Sequence, residues 1–156
     1  MKLIILDFDG TLADTRGLIV KTMQQTLDAL GLESRTDEQC AAMIGLPLKQ
    51  AFTDLLPMTD EMGDRCVETY RRLFNENNAL YVIPTFPNVM ETLHQLHEQG
   101  YTLTIASSRS NRSLMEFVND MQLNDVIPYV LGAEDVTRAK PHPDPVLQTL
   151  EAFNCK

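Results

Sequence analysis

Two acids, Asp7 and Asp9, stand one residue apart directly after the apolar run Leu3-Ile4-Ile5-Leu6, and Gly10 and Thr11 follow at once. Carboxylates this close repel each other, and a nearby cation relieves the repulsion. Hard Mg²⁺, with its preference for oxygen ligands, suits such a pair, so Asp7 and Asp9 are candidate metal ligands. Gly10 permits a sharp turn, and Thr11 offers a hydroxyl to an anion. Farther along, Ser107 and Ser108 end a second apolar stretch, and Lys140 precedes Pro141. A hydroxyl beside the free N–H groups that precede a helix makes a phosphate cradle. Pro141 restricts Lys140 to extended conformations and so aims it. Taken singly, each feature also has a plain reading: an Asp-Gly turn, a serine-rich loop, a solvated lysine.

These residues need elements to position them. Leu3 to Leu6 lacks alternation, the pattern of a strand buried on both faces of a parallel sheet. Open parallel sheets bind ligands at the carboxyl ends of their strands, which places Asp7 and Asp9 at the mouth of a site. Tyr101 to Ala106 reads as a second strand, with Ser107 at its carboxyl end, and Tyr129 to Leu131 as a short third. Between the first two strands the spacing predicts helices. Thr15 is positioned to cap one that runs to about Leu30, with Gly31 ending it. Thr36 to Gln39 forms a capping box for a short helix through Met43. Pro47 suits the first turn of a helix over 48–56, and Thr59 opens a longer one that fades at Asn75 to Asn78. After the junction at Pro84, Phe86 and Pro87, helices are predicted over about 88–99 and 111–121. A final helix follows, with Asp144 as its cap and Pro145 as its first residue. His94 and His97 lie three apart but off the Val89-Leu93-Leu96 stripe, which makes them a solvated face.

The order apolar run, Asp, Phe, Asp, Gly, Thr, Leu over residues 3–12 resembles the first motif of the haloacid dehalogenase-like phosphatase superfamily. Leu103-Thr104-Ile105-Ala106-Ser107-Ser108 resembles its second motif, and Lys140-Pro141-His142-Pro143-Asp144 its third. The resemblance covers nearly the whole chain. It implies an α/β fold: a Rossmann-like parallel-sheet core from residues 1–13 and 83–156, interrupted by an α-helical cap domain at 14–82. It implies Asp7 as the nucleophile that takes the phosphoryl group, and Asp9 as general acid, then base. Thr11, Ser107, Ser108 and Lys140 would hold the phosphoryl oxygens, Mg²⁺ would be the cofactor, and the substrate a small phosphorylated metabolite. Phosphoglycolate phosphatases and pyrophosphatase relatives are the similar activities. Dehalogenases of the family lack the second acid, so Asp9 points to phosphoryl transfer. Sugar phosphomutases of the β-phosphoglucomutase kind carry an Arg three residues after a cap glycine. Counted from Gly45 that slot is Leu48, which weakens the mutase alternative; Leu46 and Lys49 remain as cap residues that could choose the substrate. The family junction Pro-Gly-Val reads Pro87-Asn88-Val89 here.

The family's fourth motif, a Gly-Asp with a further acid on a strand after the final helix, is not reached by Lys156. The expectation is therefore an incomplete core whose first strand lies at an edge open to self-association, and a catalytically inert chain is one alternative. A receiver-like signalling domain also phosphorylates an Asp at a strand end, but the helical insert straight after the first strand argues against it.

Composition bounds the rest. The 156 residues suit one domain or a domain with an insert, and 44% hydrophobic with 22% charged residues can form a proper core. No apolar run approaches the ~20 residues that cross a bilayer, and the start lacks the pattern of a signal peptide. Cys40, Cys66 and Cys155 fit no zinc or disulfide framework, consistent with a cytoplasmic location. A net charge of −9 argues against nucleic acid and anionic membrane as partners. A phosphate site in such a chain requires local cations.

Overall fold

The computed structural model describes residues 2–80 and 83–155. In chain order the elements are β1 (Lys2–Leu6), α1 (Arg16–Ala29), α2 (Asp37–Ala41), α3 (Leu48–Leu55), α4 (Asp60–Asn78), α5 (Val89–Glu98), β2 (Tyr101–Ala106), α6 (Asn111–Asp120), β3 (Tyr129–Leu131), a 3-10 turn (Ala133–Asp135) and α7 (Asp144–Ala152). The chain divides into two compact units, one from residues 1–13 and 85–156 and the other from 14–84. The expected end of the helical insert at residue 82 lies outside the described residues.

The first unit is a parallel sheet in the order β1-β2-β3 with helices. Leu6 pairs with Ile105 and Ala106 with Leu131, so the three strands end level. β2 is the central strand, and Leu103 to Ala106 are buried. β1 stands at an edge of this sheet among the described residues, as expected for the first strand, and the full burial read from its apolar run is not met. Leu3 to Leu6 are only half-buried, because β1 has a single sheet neighbour among the described residues. Helices cover the faces of a parallel strand, and a strand with one neighbour also leaves its open side to solvent. The core between sheet and helices includes Phe8, Leu93, Leu114, Phe117, Val118 and Leu131. Phe8 meets Phe117 edge-to-face at 4.8 Å, and Tyr129 meets Phe153 at 5.5 Å, which seats the end of α7 beside β3.

The second unit is helical. Its core gathers Met23, Leu27, Ala51, Phe52, Cys66 and Tyr70, with Phe52 and Tyr70 in edge contact at 5.9 Å. Asn77 on α4 donates to Thr22 Oγ1 (2.9 Å) and Gln25 Oε1 (2.7 Å) on α1, a buried polar tie between the two longest helices. Cys40 and Cys66 are buried free thiols, and burial pushes both above their usual range.

The helix ends follow local chemistry. Leu32 N–H donates to Leu27 C=O and Gly31 N–H to Asp28 C=O, the paired bonds of a Schellman stop, with Gly31 at φ +65°. The Thr36–Gln39 capping box and the Thr59 cap onto Met62 N–H form as their spacing predicts. Three expectations shift by a residue or change role. Thr15 takes the N-cap position of α1 without a side-chain capping bond. Pro47 precedes the first turn of α3 rather than joining it. Pro143, not Asp144, holds the N-cap position of α7, because the Asp144 carboxylate is drawn into a two-point pair with Arg138 at 2.8 and 3.0 Å. That hydrogen bonding holds Asp144 below the usual carboxylate range.

Asn88, at the start of α5, has φ +65°. This is the left-handed region, open to Gly, tolerated by Asn and closed to β-branched residues. The position where the family junction carries Gly is thus filled here by the residue type that next best accepts the same backbone. Asn88→Gly is expected to leave stability nearly unchanged. Asn88→Val is expected to cost about 1–2 kcal/mol, which urea unfolding would measure.

Candidate active site

The site grows from the level strand ends. In an extended chain successive side chains point to opposite sides. Phe8 is fully buried against Phe117, and its two neighbours, Asp7 and Asp9, remain partly open to solvent. The Phe8 carbonyl then accepts the N–H groups of Thr11, Leu12 and Ala13 at 3.0–3.2 Å, so the chain folds back at once. Gly10 makes this turn at φ +76°, where a side chain would be strained.

Asp7 Oδ1 accepts from its neighbour's Phe8 N–H (2.8 Å) and from Lys140 Nζ (2.9 Å). Lys140 also donates to the Ala106 carbonyl at 3.3 Å, at the end of β2. The sequence separation of 133 residues is closed by the sheet register and by the Arg138–Asp144 pair, which ties the two sides of the Lys140 loop. The Lys140–Pro141 peptide is cis. Asp7 Oδ2 receives no hydrogen bond among the described residues. The Asp7 side chain is 39% exposed, so solvent and a reactant can reach it.

Asp9 is held differently. Arg109 Nε lies 3.2 Å from both carboxylate oxygens and Nη2 lies 2.5 Å from Oδ1. The Arg109 guanidinium is itself fixed by Ser113 Oγ, which accepts from Nη1 at 2.9 Å, and it lies 5.0 Å from the centre of the Phe8 ring. Both side chains are nearly closed to water, Arg109 at 6% and Asp9 at 14% exposure. Sequence reasoning did not single out Arg109. Its only signal was position: a cation two residues past Ser107, in the loop that leaves β2 level with the two acids.

Ser107 is buried, with its N–H on the Leu131 carbonyl (3.0 Å) and its Oγ accepting from Arg109 N–H (3.1 Å). The hydroxyl proton keeps its freedom to turn toward an anion. Ser108 is half-buried beside it. Thr11 is exposed in the turn after Asp9, and its hydroxyl makes no hydrogen bond among the described residues. The structure thus brings Asp7, Asp9, Ser107, Arg109 and Lys140 to one end of the sheet. Leu46 and Lys49 belong to the helical unit. There Leu46 packs partly against its core, and Lys49 Nζ is paired with Asp60 (2.7 Å) and Asp64 (2.8 Å).

The donor set fits Mg²⁺ at Asp7. Mg²⁺ keeps several waters and takes one or two carboxylates plus substrate phosphate oxygens, so few protein ligands are required. The Asp7 carboxylate would supply one. The Asp9 carboxylate does not fit as a second, because Arg109 engages both of its oxygens. Among the described residues no group of three or more His, Cys, Asp or Glu is placed to hold a metal.

With this geometry in view, the comparisons with known proteins are specific. The family profile of haloacid dehalogenase-like hydrolases matches residues 4–156. The chain belongs to that family. It is 31% identical to the pyrophosphatase PpaX of Anoxybacillus flavithermus over 98% of its own length and 69% of that protein's. It is 29% identical to a phosphoglycolate phosphatase of Aquifex aeolicus, over 97% of its own length and 70% of that protein's. A crystal structure of a haloacid dehalogenase-like hydrolase from Bacteroides fragilis superposes with a TM-score of 0.87 at 28% identity, covering 99% of this chain and 74% of the other. These relatives place the chain among hydrolases whose named activities are phosphatases and pyrophosphatases.

The Arg109–Asp9 pair yields a stability test. Removing one partner of a nearly buried pair leaves the other charge uncompensated, at a cost of roughly 3–5 kcal/mol. Arg109→Met is expected to lose stability on this order in urea unfolding, and adding Asp9→Asn is expected to recover part of the loss.

Proposed function

We propose that the protein is a Mg²⁺-dependent phosphatase that hydrolyses a small phosphomonoester through an aspartyl phosphate on Asp7. The observation that carries this reading is the asymmetry of Asp7: Lys140 and a backbone N–H load Oδ1, and Oδ2 is left open. Once released from Arg109 and protonated from solvent, Asp9 acts as the acid: Oδ2 of Asp7 attacks phosphorus, the bond to the leaving oxygen breaks, and that oxygen departs with the electron pair and takes the Asp9 proton. Water then attacks phosphorus and gives a proton to Asp9, and the bond to Asp7 breaks to return the carboxylate. Lys140, Ser107 and Ser108 hold the phosphoryl oxygens as charge develops on them, with Thr11 at the open side. Mg²⁺, when bound at Asp7, offsets the charge on those oxygens. Arg109 keeps Asp9 in place until the phosphoryl group offers the guanidinium competing oxygens.

The named activities of the relatives support a small phosphorylated metabolite as substrate. The phosphomutase alternative needs a cation for a second phosphate near residues 48–49. Lys49, the cation there, is committed to Asp60 and Asp64, which also hold its pKa above the usual range. That commitment leaves the mutase reading without its cation at residue 49.

The test is hydrolysis of an aryl phosphate with Mg²⁺ by the wild type and by Asp7→Asn. The expected result is turnover by the wild type and a loss of at least about a thousandfold in the variant, as for removal of a covalent nucleophile. Equal turnover by the two proteins would remove Asp7 from the reaction.

A further inference from the structure

The loop that carries Ser107 and Arg109 is fastened from behind by the turn after β3. Ser107 N–H donates to the Leu131 carbonyl (3.0 Å), and Ala133 N–H donates to the Arg109 carbonyl (2.9 Å). Glu134 Oε2 accepts from Asn111 N–H at 2.9 Å. Asp135 Oδ2 takes two donors, Gly132 N–H (2.7 Å) and Asn111 Nδ2 (2.6 Å). The two segments lie so close that a Cβ on Gly132 would stand 2.3 Å from Asn111 N, 2.6 Å from its Cα and 2.9 Å from the Arg109 carbonyl oxygen. The Asp135 carbonyl accepts from Gln148 Nε2 of α7 at 2.9 Å. Asp135 therefore touches both the segment behind Ser107 and Arg109 and the helix that follows the Lys140 loop.

We propose that Asp135 is a positioning residue for the phosphate site: through Asn111 and Gly132 its carboxylate sets the Ser107–Arg109 loop against the strand end. It reaches none of Asp7, Asp9, Ser107 or Lys140 itself, so it acts through the groups that do. This role rests on the phosphatase reading, because it assigns the loop a phosphoryl group to receive. The physical reason is precision. A displacement of about 1 Å in groups that receive a reactant can cost two orders of magnitude in rate, and a loop of polar residues has little apolar packing of its own to prevent it. A charge-assisted acceptor that binds a backbone N–H and a side-chain amide at once supplies that restraint.

The test uses the full chain with Asp135→Ala and Asp135→Asn. The Asn side chain keeps an oxygen that accepts both donors, so it serves as the conservative rescue. Two readouts are taken: amide hydrogen exchange over residues 107–111, and the affinity for inorganic phosphate with Mg²⁺ present, measured by titration. Asp135→Ala is expected to speed exchange in that segment, with exchange in β1 unchanged, and to weaken phosphate binding about tenfold. Asp135→Asn is expected to restore both to within about threefold of the wild type. Unchanged exchange in the alanine variant would show that Asp135 does not fix the loop. Faster exchange with unchanged phosphate affinity would show that the fixing serves stability alone. A wild type that binds no phosphate would overturn the phosphatase reading and this role with it, an outcome recognisable because it appears before any substitution is made.

Discussion

Two carboxylates one residue apart at a sheet's end repel each other, and a cation beside each relieves that repulsion. The structure meets this constraint with two separate pairs, Asp7 with Lys140 and Asp9 with Arg109. At about 4 Å and an effective dielectric of ~20, each close like-charge or opposite-charge contact is worth roughly 4 kcal/mol before solvent screening. Much of the surrounding fold supplies those two cations. The level ends of β1 and β2 bring Arg109 beside Asp9, the Arg138–Asp144 pair ties the loop from which Lys140 reaches Asp7, and the buried Phe8 ring holds the strand end from which both acids project. The pairs also differ in a useful way. Asp7 has one oxygen loaded by Lys140 and a backbone N–H and Asp9 is gripped at both, so two chemically identical side chains sit in different surroundings.

The charge balance bears on what the site can bind. A chain with net charge −9 repels anions at a distance, and the two cations at the sheet's end are already matched by two acids. In the proposed reaction the phosphoryl group gains Lys140 and Arg109 only by sharing them with Asp7 and Asp9. Bound Mg²⁺ would add the positive charge that this sharing lacks. Affinity for phosphate is therefore expected to depend on the local arrangement of these groups, not on the global field, which is screened beyond ~8–10 Å at ordinary ionic strength.

Much of this was legible in the sequence, and the parts that were not share a cause. Asp7 and Asp9 stand out as acids that end an apolar run, while Ser107 and Lys140, plain residues when taken singly, were singled out by the resemblance of their surroundings to the family's second and third motifs. Thr36 and Thr59 could be read as caps because their partners lie three residues away. Arg109 could not be found, since the partner that makes it part of the site is 100 residues distant and an arginine in a serine-rich loop reads as solvated. Asp144 was misread for a related reason: the Asp-Pro pattern signals a cap, but Arg138 outcompetes the backbone for its carboxylate. The burial of β1 was overestimated because the neighbours of a strand are a property of the sheet. Asn88 shows the reverse case, where a departure from the family's glycine becomes intelligible once its backbone angle is known.

The claim on which the account turns is that Asp7 forms a bond to phosphorus. The most direct measurement is mass spectrometry of peptides from enzyme quenched in acid during turnover of an activated aryl phosphate with Mg²⁺. The account expects a phosphoryl group on the peptide that contains Asp7, absent from Asp7→Asn. Hydrolysis that proceeds with no phosphoryl group on that peptide, or with one on any other residue, would contradict it.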